Sequence, residues 1–128
     1  MTQRTTSIRQ IRTVAIPVTD QERSIAFYTG VLGFEKTVDA PFGPGQRWVE
    51  VSPISGGTTI ALPPLGESTP GIDTGIRFDT GDAESDHAAL KAAGADVDAE
   101  ILRYPGVPPM FTFRDPDGNR LFVVEVPS

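Results

Sequence analysis

Val14-Ala15-Ile16-Pro17-Val18-Thr19-Asp20, continued by Ser24-Ile25-Ala26-Phe27-Tyr28 and Val31-Leu32-Gly33-Phe34, is the stretch that sets the fold. Val14, Ile16 and Val18 alternate with Thr13, Ala15 and Pro17, the period of two expected of a strand with one packed face, and predict a strand over about 10–18. Thr19 and Glu22 have the spacing of a capping box, and Ile25, Phe27, Tyr28, Val31 and Leu32 recur at helical intervals. The pattern predicts a helix over about 20–32, closed by Gly33.

Three short strands are expected next, Phe34 to Val38, Gln46 to Ser52 and Thr58 to Leu62, separated by Pro/Gly-rich turns. After a connector from Pro63 to Gly71 the order restarts. Gly75 to Asp79 reads as a strand and Asp82 to Ala93 as a helix ended by Gly94. Strands over about 96–103 and 109–114, a turn at Pro116 to Asn119 and a last strand from Arg120 to Val126 complete it. Ile16 falls on Ile76 and Val18 on Phe78, about 60 residues on, so the chain reads as a βαβββ unit repeated. The expected organisation is a single α+β domain over 1–128, with module one at about 10–63 and module two at about 72–127.

The 128 residues suffice for one domain with a real core and are too few for two. A composition of 38% hydrophobic and 22% charged residues is that of a globular chain, and 13 Gly with 12 Pro favour many turns over a helical bundle. A net charge of −6 without any Lys/Arg cluster argues against nucleic acid and favours neutral or cationic ligands. No apolar run approaches a signal or a membrane span. No cysteine is present, which excludes disulfides and thiol catalysis and is consistent with a cytoplasmic location.

The stretch from Val14 to Phe34, together with the closing Asp115-Pro116-Asp117-Gly118-Asn119 between Phe111 and Glu125, resembles the vicinal oxygen chelate superfamily. That superfamily includes glyoxalases, extradiol dioxygenases and bleomycin-binding resistance proteins. The resemblance spans about residues 11–126 and implies two tandem βαβββ modules whose mixed sheets curl around a cavity. It also implies helices on the outer faces and completion by a homodimer. In metal-dependent members the ligands fall at positions matching Thr13, Ala61, Gly75 and Phe122 here, none of them an ordinary metal donor. No metal and no cofactor are therefore expected. Glu125 lies on the opposite strand face from Phe122 and is expected in solvent. His87, the one histidine, falls within a helix on the outer surface, away from any substrate.

Alternation turns Val49 and Val51 toward the helix and leaves Trp48 and Glu50 facing the cavity. It likewise places Phe111 and Phe113 in the core, with Met110, Thr112 and Arg114 inward, and Ile76 and Phe78 in the core, with Arg77 inward. Thr13, Trp48, Glu50, Arg77, Met110, Thr112 and Phe122 form the candidate ligand-binding set. Trp48 is suited to stacking a planar ligand and equally to filling a core or a dimer interface. Glu50 and Arg77 are suited either to ligand contact or to a structural ion pair, with each other or separately. Buried beside Trp48 without a cation, Glu50 would have a raised pKa and could act as a catalytic base.

Loops 41–45, 63–71 and 104–109 are placed to rim the pocket, with Phe42 and Tyr104 able to close over a ligand or to cap the sheet edge. The first functional expectation is metal-independent binding of a small aromatic or cationic molecule. The second is an enzyme of lyase, isomerase or dioxygenase type, using Glu50 as base or a non-standard metal site. The third is an interaction module.

Overall fold

The computed structural model of the chain describes residues 5–127. It contains two sheets and two helices. The first half runs β1 (Thr13–Ala15), α1 (Gln21–Ala26), β2 (Glu35–Pro41), β3 (Arg47–Ser52) and β4 (Thr59–Ala61). The second runs β5 (Asp73–Thr80), α2 (Ala83–Ala92), β6 (Asp96–Val97), β7 (Leu102–Tyr104), β8 (Val107–Arg114) and β9 (Arg120–Glu125). The sheet orders are β1-β4-β3-β2 and β5-β9-β8-β6, with β7 also on β8. In each sheet the first strand of the unit lies parallel to its last, β1 on β4 and β5 on β9, so one topology occurs twice. The sheets do not close into a barrel.

Strand β1 is shorter than the alternation predicts, Thr13–Ala15. The extended path continues regardless, with Ile16 N donating to Ala61 O at 2.9 Å and Val18 N to Pro63 O at 2.9 Å. Helix α1 stops early and passes into a π-turn over Phe27–Val31. Thr29 Oγ1 donates to Ile25 O at 2.7 Å, supplying that carbonyl from a side chain, and Leu32 N reaches five residues back to Phe27 O at 3.1 Å. The helix cap also differs from expectation. Asp20, not Thr19, accepts from Arg23 N, because Thr19 is bound to Asp117 from the far half of the chain.

The predicted strand over 96–103 is two pieces that pair with opposite ends of β8. The expected loop 104–109 is a tight hairpin instead, with Tyr104 opposite Val107 and Gly106 at φ 78°. Pro108 and Pro109 are tolerated there because β9 pairs with β8 only from Met110 onward.

Register rows show how alternation sorts the side chains. Val14, Ile60 and Val51 sit side by side on β1, β4 and β3, and Phe78, Val123 and Phe111 on β5, β9 and β8. These rows, apart from Val14 at the sheet edge, feed one continuous core. Five aromatic rings close a circuit through it. Phe27 meets Tyr28 (centroids 5.4 Å apart), Tyr28 meets Phe34 (6.1 Å), Phe34 meets Phe78 (5.4 Å), Phe78 meets Phe113 (6.4 Å), and Phe113 returns to Phe27 (6.3 Å). Three rings come from the first half and two from the second, so the halves share the apolar burial that stabilises each.

The turn between β8 and β9 supplies the polar counterpart. Asp115 Oδ1 accepts from the N–H groups of Asp117 and Asn119, both at 3.0 Å. Its Oδ2 accepts from Tyr28 Oη and Asn119 Nδ2, both at 2.9 Å. Asn119 Nδ2 also donates to Pro17 O at 3.1 Å, and Asp117 accepts from Thr19 N and pairs with Arg23. Burial, and then the adjacent Asp115 charge, hold the Tyr28 phenol above its ordinary pKa. The turn therefore fastens the second half onto β1 and α1 of the first. Gly71 lies against it at φ 88°, where a Cβ would come within 3.2 Å of Asp117 O.

Among the described residues no helix is long and apolar enough to cross a membrane. Asp115→Ala removes the acceptor of four hydrogen bonds, three of them buried, and is expected to cost about 3 kcal/mol or more in urea unfolding. Tyr28→Phe, which removes one of those bonds, is expected to cost about 1–2 kcal/mol in the same measurement.

Candidate functional site

The faces turned away from the helices carry most of the polar chemistry. On the first sheet Ala15, Ala61 and Glu50 share one register row, with Thr13 and Thr59 in the next comparable row. A chain of hydrogen bonds joins this face. Trp48 Nε1 donates to Glu50 Oε2 at 2.7 Å, Thr59 Oγ1 donates to Glu50 Oε1 at 2.8 Å, and the Thr13 and Thr59 hydroxyls lie 2.9 Å apart. With the Thr59 proton directed at Glu50, Thr13 is the donor of that last pair.

Glu50 is only 7% exposed, yet both of its oxygens are satisfied. The indole N–H, then the Thr59 hydroxyl, hold its carboxyl below the ordinary pKa, with the positive charge of Arg12 acting in the same direction against the opposing effect of burial. The raised pKa expected of an isolated buried Glu50 is overturned. Two local donors stabilise the anion, so the carboxylate is ionised and weakly basic at neutral pH. Phe42 leans on the Trp48 ring at a centroid distance of 5.7 Å and a tilt of 46° while itself remaining 62% exposed.

On the second sheet Arg77, Phe122 and Thr112 form one row across β5, β9 and β8. The Arg77 guanidinium lies over the Phe122 ring at 4.6 Å, and that of Arg120 at 5.4 Å from the same centroid. Arg77 Nη1 donates to Gly75 O at 3.0 Å, which steadies the guanidinium over the ring. Met110, half-buried, stands opposite Val124 in the next row, and Thr112 is buried. Arg114 is not part of this face chemistry, since it pairs with Asp96 and Asp98.

The candidate residues thus fall into two clusters, Thr13, Trp48 and Glu50 on one sheet and Arg77, Met110, Thr112 and Phe122 on the other. Among the described residues no hydrogen bond or ion pair links them, and of the alternatives open for Glu50 and Arg77 the mutual pair is not formed. Arg77 lines a cleft of about 600 Å³ between β5 and the β1/β4 edge, together with Val14, Ile60 and Ile76.

Sequence reasoning missed Thr59, although two-residue alternation from Ala61 places it on the same face. Glu125, expected in solvent, turns back so that its Oε1 accepts from Ala83 N at 3.1 Å and caps α2. His87 is on the helix side, edge-on to Phe111, with Nε2 2.7 Å from Asp98 O.

The positions that the resemblance gives to metal ligands do not fit a metal ion. Thr13 is engaged with Thr59, Ala61 and Gly75 have no donor atom, and Phe122 lies beneath two guanidinium groups whose charge opposes a cation. Among the described residues no three His, Cys, Asp or Glu side chains are grouped closely enough to hold one.

Known proteins place this geometry in context. Residues 10–123 match the family model described as Glyoxalase/Bleomycin resistance protein/Dioxygenase superfamily. The uncharacterized protein YetH of Bacillus subtilis (strain 168) is 31% identical over 123 residues, covering 92% of this chain and 99% of that protein. A superfamily member from Sphaerobacter thermophilus DSM 20745 shares 34% identity at a TM-score of 0.87, over 93% of this chain and 98% of that one. TnmS3, an antibiotic binding protein from Streptomyces sp. CB03234, shares 31% identity at a TM-score of 0.83, over 96% of this chain and 99% of that one. The chain belongs to the glyoxalase/bleomycin resistance protein/dioxygenase superfamily.

Proposed function

We propose that the protein binds a small aromatic or cationic organic molecule on its sheet faces, without a metal ion and by stacking and enclosure rather than bond-making. The observation that carries this reading is the Trp48–Glu50–Thr59–Thr13 chain. It fixes an indole ring and a buried carboxylate on a face whose ligand-matching positions suit no metal. The carboxylate favours a cationic group and the indole a planar one. The likeness to an antibiotic-binding protein supports the same reading. A Glu50 whose proton affinity is lowered is a poor base at neutral pH, which counts against the enzymatic alternative built on it.

Because the two clusters do not meet within one chain, enclosure in this reading comes from a homodimer. The Trp48/Glu50 face of one copy would lie opposite the Arg77/Phe122 face of the other. Their charges are complementary, with a carboxylate on the first and two guanidinium groups on the second, so a cationic group of the ligand would be held on the Glu50 side, away from Arg77 and Arg120.

Titration with aromatic and cationic compounds is expected to quench Trp48 emission saturably. Trp48→Phe should remove the signal, and Phe122→Glu should weaken affinity on the order of tenfold. A complete lack of response across the compound classes, or one tightly held transition metal per chain in elemental assay, would overturn the proposal. Light scattering is expected to give twice the monomer mass, and a monomer that still encloses its ligand would contradict the two-copy arrangement.

Glu50 also has a pH signature. Its folded pKa is depressed, so the stability it contributes is present above the ordinary carboxylate value and is lost as pH falls through the folded one. Trp48 emission should therefore change below pH 4.5 in the parent protein and lose that step in Glu50→Gln. A step near neutral pH would contradict the assignment.

A further inference from the structure

A cavity of about 160 Å³ opens on the helix side of the fold, between the π-turn and the middle of α2. Apolar protein cavities of roughly 150 Å³ take up a benzene ring, so the volume suits a single ring. The π-turn shapes one wall, because its five-residue hydrogen bond leaves Val31 and Leu32 half-buried across from α2. Phe34, Phe78, Leu90, Phe113 and Val123 supply its other large apolar side chains.

Thr80, the exposed Asp79 and, on the helix wall, Asp86 break the apolar lining. Asp86 stands one helical turn before Leu90 on the inward stripe of α2 and is half-buried. Its backbone N–H serves the helix, bonded to Asp82 O at 3.2 Å, while its carboxylate forms no ion pair among the described residues. A neutral apolar occupant would strip water from that carboxylate without replacing it, which is unfavourable, whereas an ammonium group turns the same position into an attraction.

We propose that this cavity is a second binding site, separate from the sheet faces, for a small aromatic amine of about benzylamine size. The ring lies among Val31, Leu32, Phe78 and Leu90, and the ammonium group sits on Asp86. The net charge of −6 draws such a cation toward the protein.

Benzylamine titrated into methyl-labelled protein should shift the NMR signals of Val31, Leu32, Leu90 and Val123 saturably. Benzyl alcohol, its neutral counterpart, should bind on the order of tenfold more weakly. Asp86→Asn should abolish that difference. Ala89→Phe, a change at an exposed position on the cavity rim, should block both compounds while leaving the remaining spectrum in place. Unmoved methyl signals, equal binding of amine and alcohol, or a preference for amine that survives Asp86→Asn would each overturn the site. The Trp48 indole signal reports occupation of the sheet faces independently, and benzylamine shifting that signal alone would refute the cavity while leaving the first reading intact.

Discussion

The carboxylate of Asp115 is the constraint on which the rest of the structure depends. It accepts four hydrogen bonds in a turn whose other members reach Pro17, Thr19 and Arg23. A buried anion is unfavourable unless its lone pairs are filled, and here one of the donors, Tyr28, comes from the other half of the chain. The turn cannot be satisfied by its own residues alone. The repeated halves are thereby held in one arrangement, and the circuit of five rings then packs around that fixed point.

Fixing the halves through their helix sides decides where chemistry can occur. The same alternation that sends Val51 and Phe111 into the shared core sends Glu50 and Thr112 to the outer sheet faces. The first face has an indole and an acid joined by direct hydrogen bonds, and the second has an aromatic ring covered by two guanidinium groups. Each face is internally satisfied, so each is preorganised before any ligand arrives. The metal-ligand positions of the superfamily are occupied here by groups already engaged or lacking donors.

The order of elements and the facing of side chains were legible in the sequence because a strand offers only two faces, and Val49, Val51, Phe111 and Phe113 mark the inner one plainly. Local readings failed where a distant partner decides the outcome. Thr19 looks like a cap for α1 but is taken by Asp117, 98 positions along the chain, leaving the cap to Asp20. Glu125 looks exposed but closes the start of α2. Glu50 reads from sequence as a base of raised pKa if it is buried beside Trp48 without a cation. Its real partners are an indole two residues away and a hydroxyl on the neighbouring strand. The π-turn rests on Thr29 bonding backwards to Ile25, which periodicity alone does not reveal.

The reach of the Asp115 turn also governs how the chain can acquire its structure during synthesis. Tyr28 waits 87 residues for its acceptor, and Pro17 waits 102 for the Asn119 amide. A ribosome therefore releases the first βαβββ unit with one flank of α1 unsealed, and that unit matures only when the second is nearly finished. At roughly 5–20 residues per second the delay is set by synthesis rather than by loop closure, whose cost rises only slowly with length, and the flank of the first unit stays uncovered until the turn engages.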